Sequence, residues 1–419
     1  MKKIGRHSFP DHWDIHPLTD VLFLQEGPGI RKKEYQDDGY PMINVRCVQD
    51  GYIDMSKARA ANMELATSKW AHFQIDENDI LFTISGTIGR CAIVKKRDLP
   101  LLMNTSVVRF KPIHPHLTLS FAYQYLRSDF FVDMLKDMST GTAIQNVGPS
   151  HLKKLFVPIP PLPEQQRIVS ILDRAFAAID KAKANAEQNL FNVNELFENS
   201  AQEIFTRKGI DWEEKLLGDF AEFRNGINYT KGSKGEKIKI VGVKDFQDNY
   251  WVPENDLVEV SLDGSVNETD LLKEGDILAV RSNGNPQLIG RTLLAGLINE
   301  KISHSGFTIR IRLKSKIVNP NYLCHFMKIQ ETRKTLVESG NGVGIKSLNQ
   351  GSLSSLKIPF PKSLKEQEMI IEKVDSLAEQ SQRLKEIYQR KINDLKELKK
   401  SILQKAFAGE LETETLKTV

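Results

Sequence analysis

Short apolar runs separated by polar turns fill two stretches of the chain and are typical of β-strands. The clearest runs are Leu81–Ile84, Cys91–Val94, Val107–Phe110, Ile238–Val241, Ile277–Val280 and Phe307–Ile311. Longer amphipathic patterns at Leu119–Leu135 and Pro320–Val337 predict helices. Because strand and helix signals are interspersed without regular alternation, we expect the α+β fold class for both stretches.

Two further segments carry apolar residues at steps of three and four, which is a heptad-like seam. The first seam follows Pro163 and consists of Ile168, Leu172, Ala175, Ile179, Ala182, Ala186, Val193, Leu196 and Ser200. The second follows Pro361 and consists of Ile370, Val374, Leu377, Ser381, Leu384, Tyr388, Ile392, Leu395 and Ile402. Each segment predicts a helix of roughly 60 Å without internal Pro or Gly. We expect the two helices to pack as an antiparallel coiled coil; the alternative is an amphipathic hairpin buried against the globular parts.

The chain repeats itself after about 200 residues. Ile43–Tyr52 returns as Val241–Tyr250, and Gly89–Arg90 returns as Gly290–Arg291. The matched positions are mostly Gly, Pro and apolar residues, whereas the polar loops differ, and the second copy has a longer loop at Arg281–Gln287. A tandem duplication of whole modules predicts a pseudo-two-fold molecule, and duplex DNA is the leading partner with a two-fold repeat of its own.

The repeat divides the chain into five segments. We expect globular parts at residues 1–160 and 209–361, long helices at 161–208 and 362–412, and a tail at 413–419.

Composition narrows the class of protein. The chain has 419 residues, 40% of them apolar, which is enough for two cores. Its net charge of +4 is compatible with nucleic acid without being diagnostic. Three isolated cysteines offer neither a disulfide framework nor a zinc knuckle. The apolar runs of a signal peptide or a membrane span are missing, so we expect a cytoplasmic protein without a membrane partner.

The two helix starts carry a recognisable motif. The first reads Pro158-Ile-Pro-Pro-Leu-Pro-Glu-Gln-Gln-Arg-Ile168, and the second reads Pro359-Phe-Pro-Lys-Ser-Leu-Lys-Glu-Gln-Glu-Met-Ile370. With the duplication and the closing Phe407-Ala-Gly-Glu-Leu411, nearly the whole chain resembles the specificity subunit of type I restriction–modification systems. The second copy departs from the pattern only in having Lys362-Ser363 where the first has Pro161-Leu162.

That resemblance implies a function. Each globular part would be a target recognition domain that reads one half of a bipartite, asymmetric sequence in double-stranded DNA. The helices would set the spacer between the halves and dock two methyltransferase subunits, which motor-nuclease subunits would join. The subunit itself would be non-catalytic and would need no cofactor.

Two other functions were weighed against this one. An assembly scaffold with degenerate DNA recognition has the same architecture. A self-sufficient modification enzyme is disfavoured because no strand followed by a Gly-rich cofactor loop precedes Asn319, and without a GxxxxGK[ST] loop the chain is not expected to hydrolyse ATP itself. Asn319-Pro-Asn-Tyr322 is similar to the loop with which adenine methyltransferases hold a flipped base, but we interpret it as a Pro-started helix. The nine histidines show no metal-ligand spacing.

Base readout needs side chains with hydrogen-bonding ends on loops that reach a groove. The unmatched polar loops supply such residues, although each could equally be a solvated turn residue. In the first copy the predicted DNA-binding residues are Ser85, Thr87, Arg90, Thr142, Gln145 and Asn146. In the second copy they are Arg281, Asn283, Asn285, Gln287, Lys346, Ser347 and Asn349.

Overall fold

The structure is a computed structural model of the chain. It describes residues 1–4, 7–137, 148–207, 209–230, 232–247, 249–338 and 347–411. The chain forms two compact units, one made of Met1–Ala186 with Arg390–Val419 and the other of Glu187–Gln389. Each unit therefore contains one globular part and a segment of each long helix.

The first unit is built on two four-stranded sheets. One is antiparallel and has the strand order Leu22–Glu26, Val107–Pro112, Ile80–Thr83, Cys91–Ile93. The other has the order Leu102–Met103, Tyr40–Ile43, Arg59–Ala61, Tyr35–Gln36, and its first two strands are parallel. Two antiparallel pairs complete the strands of this unit: Lys2–Ile4 with His7–Phe9, and Asp14–Pro17 with Phe156–Ile159.

The second unit repeats this topology. Its antiparallel sheet has the order Ala221–Asn225, Thr308–Leu313, Ile277–Val280, Thr292–Leu294. A three-stranded sheet has the order Val258–Ser261, Lys237–Val241, Ile302–His304, and its last two strands are parallel. Trp212–Leu216 pairs with Lys357–Pro361. The duplication seen in the sequence is thus a duplication of strand order, and the α+β prediction is confirmed.

Short helices connect the strands of both units. In the first unit the α-helices are Leu18–Val21, Met63–Thr67, Leu119–Leu126, Asp129–Asp137 and Pro149–Leu152, with 3-10 turns at Lys32–Glu34, Met55–Lys57, Ala71–Phe73 and Lys96–Asp98. In the second unit they are Leu217–Phe220, Pro320–Lys328, Gln330–Glu338 and Gln350–Ser354, with 3-10 turns at Val243–Phe246, Glu268–Asp270 and Pro286–Leu288.

The prediction of one continuous helix at Leu119–Leu135 is wrong in its continuity, because two helices occupy that range. Ser128 separates them, since its hydroxyl donates to the carbonyl of Tyr125 and accepts from the amide of Phe131. A serine that bonds nearby backbone groups in this way ends one helix and starts the next. The corresponding prediction in the second copy, Pro320–Val337, is also divided into two helices, at Ile329, whose side chain makes no such bond.

The two long helices are Leu162–Thr206 and Leu364–Ala408. In the first unit, Phe176 and Asp180 of the first long helix lie against Lys399 of the second, with Lys399 Nζ 5.0 Å from the Phe176 ring centroid and 3.1 Å from Asp180 Oδ1. In the second unit, Phe205 near the end of the first long helix shares a core with Val374 near the start of the second. In each unit the paired segments follow the order of an antiparallel pair.

The residues of the predicted seam are buried or half-buried except for two leucines, where the prediction is wrong. Ile168, Leu172 and Val193 are buried, whereas Leu196 is 65% exposed and Leu384 is 40% exposed. From Val193 onward the buried face of the first helix steps by four, through the half-buried Phe197 to the buried Ala201. Steps of three and of four both stay near one face of a 3.6-residue helix, so tertiary packing is what selects Phe197 over Leu196.

The Glu-Gln pair at each helix start fixes the helix to its globular part. In the first unit Trp13 Nε1 donates to Glu164 Oε1 over 3.1 Å, and Gln165 Nε2 donates to the carbonyl of Pro160 over 2.8 Å. In the second unit Trp212 donates to Glu366 and Gln367 donates to Pro361, over 3.1 and 2.9 Å respectively. Both glutamines are fully buried. The motif therefore satisfies backbone groups where sheet and helix meet.

None of the described helices has the length and apolar character that a membrane span requires.

Candidate nucleic-acid interface

The longer loop of the second copy connects the strands Ile277–Val280 and Thr292–Leu294. Its first residue, Arg281, is held from two sides: its amide donates to the carbonyl of Phe307 over 2.8 Å, and its carbonyl accepts from the amide of Leu348 over 2.9 Å. The structure thereby brings three segments that are distant in sequence to one place. The Arg281 side chain is half-buried, as is that of Ser347, which lies next to Leu348.

Asparagines shape the turn that follows Arg281. Asn283 Oδ1 accepts from the amide of Asn285 over 2.8 Å, and Asn285 Oδ1 accepts from the amide of Gln287 over 3.1 Å. These are Asx turns, in which the side-chain oxygen satisfies the backbone two residues on. Each of these side-chain oxygens already accepts one backbone hydrogen bond, which leaves it one lone pair for a base contact. Asn285 and Gln287 are exposed.

Arginines outside the predicted set hold the loop in place. Arg333 donates through Nε to the carbonyl of Ile289 over 3.3 Å and through its terminal nitrogen to the carbonyl of Gln287. Arg291 donates to the carbonyl of Gln247 over 2.6 Å. Burial, together with the nearby charge of Arg291, lowers the pKa of Arg333. Sequence reasoning missed Arg333 because it lies on a helix remote in sequence from the loop that it supports.

Asn349 was predicted to read DNA, and the structure gives it a structural role as well. Its Oδ1 accepts from the amide of Ser352 over 2.8 Å and caps the helix Gln350–Ser354. Asparagine is among the preferred residues at this position because it satisfies an otherwise unpaired amide of the first turn. Lys346 lies outside the described residues.

The equivalent loop of the first copy is a short turn organised by Thr83. The Thr83 hydroxyl accepts from the amide of Arg90 over 3.0 Å and donates to the carbonyl of Thr87 over 2.6 Å. Thr87 is exposed, whereas Ser85 and Arg90 are half-buried. Thr142, Gln145 and Asn146 lie outside the described residues.

Arg90 lines a cleft of about 500 Å³ in the first unit, beside Arg127 and Lys399. The charged groups of the cleft pair with one another: Arg127 lies 2.7 Å from Asp50, and Lys399 lies 3.1 Å from Asp180. The second of these ion pairs joins the two long helices, and both compensate charges at the cleft wall.

The loop after Thr83 in the first unit and the loop after Val280 in the second begin with equivalent backbone hydrogen bonds. In the first unit the amide of Ile84 donates to the carbonyl of Ser106 over 3.1 Å, which corresponds to the bond from Arg281 to Phe307 in the second unit. Each donor is the residue directly after its strand, and each acceptor is the residue directly before the next paired strand. The side chains differ, because Ile84 is buried where Arg281 is half-exposed, and Ser106 is half-buried where Phe307 is 61% exposed.

Buried ion pairs support the sheet behind each loop. Arg109 lies 3.1 Å from Asp79 in the first unit, and Arg312 lies 2.7 Å from Asp276 in the second. Burial raises the pKa of Asp79 even though Arg109 opposes the shift. A paired, buried carboxylate of this kind is a structural element, since breaking the pair would leave an uncompensated charge.

The motif that is similar to a methyltransferase loop has a structural role. Asn319 caps the helix Pro320–Lys328, and its Oδ1 accepts from the amide of Asn321 over 2.9 Å. Tyr322 is fully buried, and its hydroxyl donates to the carbonyl of Pro359 over 2.8 Å. The interpretation of this motif as a helix start is confirmed. Across the part of the chain that the structure describes, no group of three or more His, Cys, Asp or Glu side chains could hold a metal ion.

Comparison with known families identifies the class of protein to which this fold belongs. The sequence model of the type I restriction modification DNA specificity domain matches residues 10–188 and 209–395. These two matches cover most of the chain, so the chain belongs to this family.

Curated relatives span almost the same length. The chain is 26% identical to the type I restriction enzyme StySPI specificity subunit of Salmonella potsdam, covering 97% of this chain and 91% of that protein. It is 24% identical to the EcoKI specificity subunit of Escherichia coli K12, covering 96% of this chain and 90% of that protein.

Solved structures share the fold. One is a chain of a structure determined to explain complex assembly and conformational transition of the type I R-M system, with a TM-score of 0.71 and 18% identity over 97% of this chain and all of that chain. Another is the HsdS subunit of Thermoanaerobacter tengcongensis, with a TM-score of 0.55 and 18% identity over 97% of this chain and 99% of that one.

Proposed function

We propose that this chain is the DNA-specificity subunit of a type I restriction–modification complex. Residues 1–160 and 209–361 are its target recognition domains, and each reads one half of a bipartite, asymmetric target in double-stranded DNA. Residues 161–208 and 362–412 are the helices that set the spacer, and residues 413–419 are a tail. A single observation carries the proposal. The two units share an equivalent backbone hydrogen bond, from Ile84 to Ser106 in the first and from Arg281 to Phe307 in the second, but the side chains at these positions differ.

The chemistry of the loops supports sequence reading. Arg and Lys favour the guanine edge in the major groove, and Asn and Gln favour adenine. The second copy offers Arg281, Asn283, Asn285 and Gln287 on one loop that Arg333 holds rigidly. A loop fixed in this way loses little conformational freedom when it binds, so its contacts contribute to discrimination.

The subunit acts within a larger assembly. Two methyltransferase subunits dock on the helices and motor-nuclease subunits join them, so that methylation and cleavage are performed by the partners. The specificity chain itself is non-catalytic, uses no cofactor and works in the cytoplasm.

The proposal is tested by co-expressing the full chain with its cognate methyltransferase and mapping methylated adenines on genomic DNA. We expect one bipartite, asymmetric motif that is absent when the specificity chain is omitted. The decisive variant replaces Arg281–Arg291 with Ile84–Arg90 of the first copy, and it should change one half of the motif alone.

Two results would contradict the proposal. If the methyltransferase co-purifies but no motif appears, the chain is an assembly scaffold with degenerate recognition. If the loop exchange alters both halves equally, the loop does not read sequence.

A further inference from the structure

Phe307 is a large aromatic residue displayed beside the recognition loop of the second unit. Its side chain is 61% exposed, although a phenylalanine in a globular domain normally buries most of its surface. Its carbonyl accepts from the amides of both Arg281 and Ser282, over 2.8 and 3.4 Å. Phe307 is therefore joined through its backbone to Arg281, the arginine that is predicted to bind DNA.

Several hydrogen bonds hold the turn that carries Phe307. The Gly306 amide donates to the carbonyl of Ile227 over 2.8 Å, and the Thr308 hydroxyl donates to the carbonyl of Ser305 over 2.8 Å. His304 Nδ1 lies 2.9 Å from the same hydroxyl. A β-carbon at residue 306 would meet the side chain of Asn228, which would have to move to make room for it. A turn fixed from this many sides has no local reason to leave a phenylalanine in water.

In the first unit the position equivalent to Phe307 is occupied by a small polar residue. Its equivalent residue is Ser106, whose hydroxyl accepts from the amide of Val45 over 2.9 Å and donates to Asn104 Oδ1. The turn can therefore be closed by a small polar residue that bonds inward. A phenylalanine at the same point of the second unit adds an outward apolar group without improving the turn.

We infer that Phe307 reads a thymine in the half-site of the second unit by packing on the C5-methyl group in the major groove. The inference rests on the proposed function and deepens it. Thymine is the base whose major-groove edge carries a methyl group, and phenylalanine is one of the side chains that contact it. The neighbouring Arg281 supplies the polar contact to the adjacent base. Phe307 and Arg281 together then make one apolar contact and one hydrogen-bonding contact.

The test uses the full chain in complex with its methyltransferase and duplex oligonucleotides that carry the mapped motif. Each thymine of the second unit's half-site is replaced in turn by deoxyuridine, which removes only the methyl group. For one thymine, we expect wild-type binding to weaken about fourfold, the ratio that one buried methyl group gives. Phe307→Ser, which installs the residue of the first copy, should bind the thymine and deoxyuridine duplexes equally.

Two controls separate this role from a structural one. Phe307→Leu keeps an apolar contact and should retain part of the thymine preference. Leu297→Ala removes a side chain that is 69% exposed in the same unit, beyond the opposite end of the strand Thr292–Leu294, and should leave the preference intact.

Several results would overturn the inference. A half-site without an A·T pair would do so, as would a Phe307→Ser complex that keeps the wild-type thymine preference. Equal loss of binding by Phe307→Ser on every duplex, with the thymine preference unchanged, would indicate a wedge between base steps instead. In each of these cases a bipartite methylation motif would still stand, so failure of this inference is distinguishable from failure of the proposed function.

Discussion

Arg281 occupies the point where three backbone segments of the second unit meet. Removing its guanidinium with Arg281→Ala leaves those backbone bonds in place, so the fold should persist while one base contact is lost. A bidentate contact to guanine gives about 1–3 kcal/mol of discrimination, so we expect about a fivefold or greater loss of selectivity at one base pair. Methylation rates on oligonucleotides varied at each position of both half-sites would measure it.

A matched control for Arg281→Ala is Arg97→Ala, which removes an exposed arginine of the first unit on the turn Lys96–Asp98. The control should leave both half-sites as they are. An equal loss at both half-sites in Arg281→Ala would show that Arg281 contacts the phosphate backbone, which carries no sequence information.

His304 makes the second unit sensitive to acid. It is buried, and desolvation, together with the charges of Arg310, Arg224 and Arg312, lowers its pKa to about 3 from an ordinary value of 6.5. Below pH 6.5 the unfolded chain binds a proton that the folded unit does not, so this contribution to stability is complete above pH 6.5 and is lost as pH falls toward 3. The loss is about 1.4 kcal/mol per pH unit.

We therefore expect the amides of the strand Thr308–Leu313 to lose hydrogen-exchange protection between pH 7 and pH 5, by roughly 2 kcal/mol after correction for intrinsic exchange. His304→Asn should remove most of this pH dependence. The strand Val107–Pro112 of the first unit is the internal control, because Met103 stands where the second unit has His304. Equal pH dependence of the variant and the wild type would contradict the assignment to His304.

Single residues also show where sequence reasoning reaches its limit. The polar character of the loop predicted Asn283 and Asn349 as readers, but both side-chain oxygens are used by the backbone. Phe307 was not among the predicted residues because its side chain forms no hydrogen bonds. Arg333 was missed because its contact with the loop depends on the tertiary fold. Residue type indicates which groups could bind, but only the fold shows which groups are already used.

At the scale of elements, the Gln165 side chain links the first long helix to its globular part. Its amide donates to the carbonyls of His116 and Pro160 over 2.6 and 2.8 Å, and its oxygen accepts from the Thr118 amide over 3.0 Å. Gln165→Leu would leave these buried backbone groups unpaired. We expect it to lower the free energy of unfolding of the first unit by about 3 kcal/mol, measured by urea denaturation.

The neighbouring Gln166 is exposed and provides the control. Gln166→Leu should change the free energy of unfolding by no more than about 0.5 kcal/mol. If both variants were equally stable, the Glu-Gln pair would not be what fixes the helix to the globular part.

Elements were predictable where a local pattern decides them. The run Ile277–Val280 is a strand with the predicted bounds, because continuous apolar residues suit a strand buried on both faces. The helix predicted over Leu119–Leu135 is interrupted at Ser128, and its counterpart in the second copy is interrupted at Ile329, a break of the duplicated fold that periodicity does not register. Leu196 is exposed because its helix follows steps of four beyond Val193. Tertiary packing chooses between steps that the sequence leaves equivalent.

At the scale of the whole molecule, the duplication predicted the strand order of the second unit from that of the first. It did not predict where the copies diverge in chemistry. Gln124 donates to Asp173 over 3.0 Å in the first unit, and His325 lies 2.9 Å from Asp375 at the matching place in the second. The contact between globular part and long helix is conserved while its residue types change. The loops that begin at Ile84 and Arg281 show the same relation, because their backbone hydrogen bonds are equivalent and their side chains differ.

If the long helices set the spacer of the DNA target, their length must determine it. Seven residues inserted between Ala186 and Glu187, and seven more between Gln389 and Arg390, keep the heptad pattern of both helices. Seven residues add roughly 10 Å of helix, which corresponds to about three base pairs at ~3.4 Å each. We expect methylation mapping to show both half-sites unchanged and the spacer longer by about three base pairs.

An insertion in only one helix serves as the control, because it shifts one apolar seam against the other and should abolish methylation. An unchanged spacer in the double insertion would show that the helices do not measure DNA. A changed half-site would show that the insertion had distorted a globular part. An unaltered pair of half-sites at a new separation is the outcome that only a rigid connection of defined length explains.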